Sequence, residues 1–242
     1  MKEQYYLKAV AILCMALFFS CNTVSEEEFI KSTPEYYNIC LVLDGTDVET
    51  HQNSIPVVTP NDILEFAANL IQNGWGTLYV GYIDSNVDNN SVAIFDWKYT
   101  YPTEPDTKPS YMKNSDYTKL KSNYERGMIE WEHKKDSLLS IFEKDCSMLC
   151  KTAYSSEIAK QKQGSDIYGA LNLSFRMLNA SERQGGRNII VMVSDGVDNV
   201  NKPLNEIPST TEIYIVNGNV AKHNFITTRE FVTLKQVEDH LF

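Results

Sequence analysis

The sequence predicts an α/β fold in which a doubly wound, mostly parallel sheet carries helices on both faces and an antiparallel strand at one edge. Two apolar runs, at 38–43 and 188–193, are the main evidence. Each is apolar at nearly every position, which is typical of a parallel strand buried on both faces. Strand patterns and amphipathic helical patterns alternate around them, as in βαβ units.

The first half of the predicted domain begins with a strand at about 37–43. Thr59 is placed to cap the following helix, whose apolar residues recur at helical spacing until Gly74 ends it. Strands at 77–83 and 92–97 follow, joined by a turn rich in Asp and Asn. Such a short connection predicts a hairpin, which makes the second of these strands the antiparallel edge.

A helical insertion is predicted at about 99–160. A loop rich in Tyr and Pro, 99–114, precedes a charged segment, 117–150, whose apolar positions predict one long helix or two shorter ones. This insertion either covers one face of the sheet or provides a surface for a partner. Cys146 and Cys150 share a helix face at this spacing, which allows a disulfide in an oxidising compartment.

The second half of the domain begins with a helix that Ser165 is well placed to cap, with Asp166 adding negative charge to its first turn. Gly185 and Gly186 end this helix before the strand at 188–193.

The end of the chain contributes another strand at 212–216 and a short strand that begins at Phe231. Thr233 and Gln236 stand three positions apart, as in a capping box, and predict a last helix.

The N-terminal residues resemble a bacterial lipoprotein signal. A positively charged start precedes the apolar stretch 9–19, which is too short to cross a bilayer comfortably and suits a signal-peptide core. Ser20 and Cys21 follow, like the small residue and the lipid-modified cysteine of a lipobox, although Phe18 replaces the usual leucine. We therefore predict a lipoprotein signal peptide at 1–20 and lipidation of Cys21. An ordinary secretory signal or an uncut membrane anchor is the alternative.

Residues 21–35 form a predicted polar tether, and the domain occupies 36–242. Ser25 and the acidic run 26–28 resemble the export signal of surface lipoproteins in the Bacteroidetes group. This resemblance implies an outer-membrane lipoprotein at the cell surface, anchored to the membrane by lipid, with the periplasmic face as the alternative. A solvated tether explains the same composition.

The charge of the chain limits its partners. Its 242 residues include 22 Lys and Arg against 32 Asp and Glu, which gives a formal net charge of −10. No basic stripe is present to offset the charge of phosphates, so we predict no nucleic-acid partner. Hydrophobic residues make up 43% of the chain, enough for a substantial core.

Oxygen-bearing residues follow both apolar runs. Asp44 and Thr46 come after the first, and Asp195 comes after the second. The carboxyl ends of parallel strands meet at one edge, where open sheets bind ligands. Carboxylate and hydroxyl oxygens suit Mg²⁺ or another divalent cation. Turn roles for each of these residues are the simpler alternative.

The same loops are similar to those of von Willebrand factor type A domains, over about 36–242. That family builds a cation site from Asp-x-Ser-x-Ser, a threonine and an aspartate on three loops. Asp44 and Thr46 match the first loop, but Val48 has no oxygen where the family has its second serine. The second and third loops match at Ser165 and Asp195.

This resemblance implies a cation-dependent site that holds a protein or peptide ligand, in a lipid-anchored binding or adhesion module. A structural or assembly component with the same fold and a degenerate ion site is the alternative.

Enzymatic motifs are absent from the sequence. Residues 43–46 resemble part of the haloacid dehalogenase phosphatase motif, but Val42 stands where that family has its nucleophilic aspartate. No nucleophile elbow, Walker loop or dinucleotide fingerprint is present, and the four histidines do not cluster along the chain. We therefore predict that the chain is not an enzyme.

Overall fold

The structure is a computed structural model and describes residues 36–46, 56–73, 75–159, 164–180, 186–216 and 229–242. The predicted signal peptide, the tether with Cys21, and Val48 lie outside these residues. The described strands are β1 (Tyr36–Asp44), β2 (Trp75–Ile83), β3 (Ala93–Trp97), β4 (Arg187–Val193), β5 (Thr211–Val216) and β6 (Arg229–Phe231). The described helices are α1 (Pro60–Asn73), α2 (Asn114–Ala153), α3 (Ser156–Ala159), α4 (Ile167–Ala180) and α5 (Leu234–Leu241).

The strands form a mixed sheet in the order β3-β2-β1-β4-β5-β6. β1 pairs in parallel with β2 on one side and with β4 on the other, and β5 and β6 continue the parallel half. β3 runs antiparallel to β2 at the opposite edge. The predicted mostly parallel sheet with one antiparallel edge strand is therefore confirmed.

Helices cover both faces of this sheet. Successive side chains of a strand point to opposite faces, so alternate residues of β1 enter two separate hydrophobic clusters. Ile39 and Leu41 belong to the cluster that α1, α2 and α5 cover. Cys40 and Val42 belong to the one that α4 covers. The doubly wound arrangement is thus confirmed, and it explains why β1 is apolar along its whole length.

α2 is one helix of 40 residues, where the sequence allowed either one helix or two. Its buried residues all lie in its last third and pack into the core: Phe142, Cys146, Leu149, Cys150 and Ala153. Further up, Trp131 donates its indole N–H to the Tyr99 carbonyl over 3.4 Å, and its ring lies 5.1 Å from that of Tyr101. The Tyr- and Pro-rich loop therefore supports the outer part of α2. No helix in the described part of the chain has both the length and the hydropathy to cross a bilayer.

The three described cysteines are free thiols within the core. Burial raises the pKa of Cys40 and Cys146 to about 12 and that of Cys150 to about 11. The disulfide that the spacing of Cys146 and Cys150 allowed is not formed. At neutral pH these groups stay protonated, so they act as small apolar residues.

The predicted helix starts at Thr59 and Thr233 are both confirmed by side-chain capping. The Thr59 hydroxyl accepts from the Asp62 backbone N–H, and the Asp62 carboxylate accepts from the Thr59 N–H over 2.7 Å. Thr233 and Gln236 form the reciprocal pair of a capping box. Gly74, the predicted end of α1, lies outside the described residues, and β6 ends at Phe231 instead of beginning there.

Glu238 of α5 is a buried carboxylate, with 3% of the residue exposed. Burial raises the pKa of Glu238, and the hydrogen bond from Lys235, 3.1 Å long, lowers it by less. Because the side chain of Lys235 is 59% exposed, this ion pair adds little stability. The net effect is that folding favours the protonated form of Glu238.

We expect the Glu238→Gln variant to become more stable relative to the unchanged chain as pH rises. Above the usual glutamate pKa of 4.5, the folded state holds this proton more tightly than the unfolded chain does. The unchanged chain therefore loses stability as pH rises through the folded pKa, and glutamine does not. Urea unfolding of both chains at about pH 4 and about pH 7 measures the difference. A difference that shrinks towards neutral pH would contradict the burial of this carboxylate.

Candidate functional site

The candidate site lies where the strand order of the sheet changes direction. β1 sits between β2 and β4, so the chain moves to one side of β1 first and to the other side later. Asp44 is the last residue of β1, and Ser194 and Asp195 directly follow β4. The carboxyl ends of two such neighbouring strands leave a crevice that is the usual ligand position in open α/β sheets.

Asp44 is the centre of a buried network of hydroxyl groups. Its Oδ1 accepts from the hydroxyl of Thr46 over 2.7 Å, from the backbone N–H of Thr46 over 3.1 Å and from the hydroxyl of Ser165 over 3.3 Å. Its Oδ2 accepts from the hydroxyl of Ser194 over 2.6 Å. The hydroxyl oxygens of Thr46 and Ser165 are also in direct contact with each other. Three loops that are distant in sequence therefore meet at one carboxylate.

The environment of Asp44 disfavours its negative charge. The residue is 1% exposed, and burial raises the pKa of its carboxyl. Hydrogen bonds from Ser194 and Thr46 lower that pKa, and the nearby charge of Asp195 raises it again. Burial is the largest of these effects, so folding disfavours the charged form of the Asp44 carboxyl. A cation would relieve this cost.

Asp195 lies beside the network without a hydrogen bond to Asp44. It is half-buried, and its Oδ1 accepts from the backbone N–H of Val197 over 2.9 Å, as in an Asx turn. Its effect on the pKa of Asp44 is electrostatic. Of the four predicted site residues, Asp44, Thr46 and Ser165 are thus in direct contact, and Asp195 adjoins them with a turn role of its own.

The prediction that Ser165 caps α4 is wrong. The cap is Asp166, whose Oδ1 accepts from the backbone N–H of Gly169 over 3.0 Å. Asp166 has no exposed side-chain surface, and its Oδ2 pairs with Lys202 over 2.5 Å. Since the helix end is satisfied in this way, the Ser165 hydroxyl is directed to Asp44 instead. The backbone holds it there, because the Ser165 carbonyl accepts from the Asn199 N–H over 3.1 Å.

Ser194 is a member of the network that sequence reasoning missed. It is fully buried, donates to Asp44, and accepts from the backbone N–H of Gly196 over 3.0 Å. Its position directly after an apolar strand and before Asp195 was the available signal. Ser194 holds the orientation of Asp44 and also shapes the loop that carries Asp195.

The donor atoms present fit a hard divalent cation. Each hydroxyl has one hydrogen and two lone pairs. When Thr46 and Ser165 donate their hydrogens to Asp44, their lone pairs remain available to a metal ion. Such oxygens are the ligands that Mg²⁺ takes, together with water. Among the described residues, no three His, Cys, Asp or Glu side chains converge as a metal-binding group, so a cation here depends on the hydroxyls.

Comparisons with known proteins add little to this description. No protein-family model matches the chain, and no curated protein matches it. Sixteen chains of solved structures are similar. One is the crystal structure of an aerotolerance-related membrane protein from Bacteroides fragilis NCTC 9343 with multiple mutations to serines, at 11% identity and a TM-score of 0.32. The match covers 75% of this chain and 66% of that one, just under two thirds of its length.

Proposed function

We propose that this chain is a lipid-anchored binding module of the bacterial cell envelope that holds a protein or peptide ligand through a divalent cation. The cation site consists of Thr46 and Ser165 as direct oxygen ligands, with Asp44 and Asp195 holding coordinated waters. The observation that carries this proposal is the convergence of three loops on the buried Asp44 carboxylate. The loops are the ones that resemble those of von Willebrand factor type A domains.

The chemistry of the site supports this proposal at each position. Asp44 receives the hydrogens of Thr46 and Ser165, which fixes the direction of their lone pairs. Asp195 adds a second negative charge close by, which favours a cation over a neutral ligand. A magnesium-like ion keeps several exchangeable positions in its coordination shell. A carboxylate of the partner would occupy one of them.

Calorimetry with Mg²⁺ and Mn²⁺ on the full chain in detergent tests the cation site. We expect a heat of binding that saturates at one ion per chain. Asp195→Asn and Ser165→Ala should each remove this heat. Asp145→Asn is the matched control, because it removes the same charge from an exposed position on α2 and should leave the heat unchanged. Equal heat in Asp195→Asn and Asp145→Asn would contradict the proposed site.

A structural or assembly component with a degenerate ion site is the second candidate. Val48 favours it, because that position lacks the oxygen that the related sites use. Absence of any heat with either metal in the folded, unchanged chain would support this candidate over the first.

The proposal assigns no catalysis to the chain. The aspartate that a phosphatase would need is replaced by Val42, and Asp44 is engaged by three side-chain hydroxyls instead of facing solvent.

A further inference from the structure

A groove of about 490 Å³ runs between α1 and α2, and it shares no residue with the oxygen cluster. Residues at positions i, i+3, i+4 and i+7 of each helix line it, within 61–68 on α1 and 136–143 on α2. Its floor is apolar and half-buried, formed by Leu64, Ala68 and Leu139. Two helices therefore present matching rows of side chains with an apolar hollow between them.

The shape of the groove suits a third helix. Rows at i, i+3, i+4 and i+7 form the holes into which side chains of a neighbouring helix insert. Each row spans about 10 Å, or two helical turns. An extended peptide would leave its backbone hydrogen bonds unmade here, because the groove is lined by helices and offers no strand edge.

The charge around the groove indicates which kind of helix would bind there. Its rim carries three exposed carboxylates, Glu65, Asp136 and Glu143, and no Lys or Arg lines it. None of the three forms an ion pair with another residue in the described ranges. A second copy of this chain, with a net charge of −10, would bring like charge to the rim.

We infer that this groove docks a basic amphipathic helix of a partner protein, with an apolar stripe on Leu64, Ala68 and Leu139 and with flanking Lys or Arg at the acidic rim. This goes beyond the proposed cation site and does not need it. The partner's charged rim residues would set the register and the rate of association, and the apolar stripe would provide the contact area.

The probe is a synthetic helical peptide of about four turns, with leucines along one face and lysines beside them. Its matched control has every lysine replaced by glutamate. Fluorescence anisotropy with the full chain in detergent measures binding in the presence of EDTA, so that failure of the cation site does not affect the result. We expect the lysine peptide to bind at least about tenfold more tightly than the glutamate peptide.

Two triple variants separate the groove from general charge attraction. Glu65→Gln, Asp136→Asn and Glu143→Gln together neutralise the rim. Glu125→Gln, Asp145→Asn and Glu206→Gln together remove the same charge from exposed positions outside the groove.

We expect the rim variant to weaken the lysine peptide about tenfold and the second variant to leave it nearly unchanged. Ser140→Trp, which fills the groove from α2 without a change of charge, should weaken it as well. Equal effects of the two triple variants, or equal binding of the two peptides, would overturn the inference.

Discussion

Replacing Gly45 with alanine will lower the free energy of unfolding by about 3 kcal/mol, because position 45 has no room for a side chain. A Cβ atom there would lie 1.7 Å from the carbonyl oxygen of Ala153 and 2.6 Å from its carbonyl carbon. Both atoms are backbone at the buried end of α2, so they cannot move aside as a flexible side chain would. The loop after β1 and the end of α2 must separate instead.

The same change will disturb the candidate site, since Gly45 lies between Asp44 and Thr46. The Thr46 hydroxyl and N–H both bind Asp44 Oδ1, and a shift of this short loop breaks those bonds. A second contact lies close to the end of α2, where the Tyr154 hydroxyl oxygen accepts a hydrogen bond from the Val58 backbone N–H over 3.1 Å. If the proposed cation site exists, Gly45→Ala should therefore lose the heat of Mg²⁺ binding together with stability.

Urea unfolding of Gly45→Ala measures the loss, and Gly127→Ala is its control. At position 127, in the middle of α2, a Cβ atom would meet Pro102 at 3.6 Å, an ordinary contact. Alanine is the better helix former by up to about 1 kcal/mol, so this variant should be slightly more stable than the unchanged chain. If Gly45→Ala and Gly127→Ala unfold at the same urea concentration, residues 45 and 153 are not packed as closely as described.

The core strands were predictable because their environment determines their composition. β1 and β4 pair with strands on both sides and are covered on both faces, so nearly every residue in them must be apolar. The start of α1 was predictable for a local reason, since Thr59 and Asp62 cap it within one turn. Signals of these two kinds lie within a short stretch of chain.

The arrangement of the site depends on contacts that no short stretch contains. Ser165 and Asp166 are both good helix caps, so the sequence offers no reason to choose between them. The choice depends on Asp44, which is 121 positions from Ser165 and takes its hydroxyl. The continuity of α2 also depends on a distant contact. Gly127 disfavours a helix by about 1 kcal/mol. The packing of Trp131 on the preceding loop is a tertiary contact that favours continuing the helix.

Lys202→Met will be the second strongly destabilising change, with an expected loss of about 3 kcal/mol in the free energy of unfolding. Lys202 Nζ lies 2.5 Å from Asp166 Oδ2, and Asp166 has no exposed side-chain surface. The hydrogen bond with Asp166 raises the pKa of Lys202, so the lysine stays charged. Methionine keeps the apolar stem and removes the charge, which leaves a buried carboxylate with only the Gly169 N–H as its partner among these contacts.

Two further variants identify the cause of that loss. Asp166→Asn combined with Lys202→Met removes both charges and keeps the oxygen that caps α4, so it should recover most of the lost stability. Arg176→Met breaks the neighbouring ion pair to Asp88, whose side chains are 61% and 52% exposed. This control should cost less than about 1 kcal/mol.

The comparison is informative because both single variants remove one cation from the same network, and burial is the main difference between them. Lys202 also contacts Asp88, at 3.4 Å, so its loss removes an exposed interaction as well as the buried one. Equal losses in Lys202→Met and Arg176→Met would mean that Asp166 is not buried as described. The loop that positions Ser165 would then lack the anchor that the proposed cation site requires.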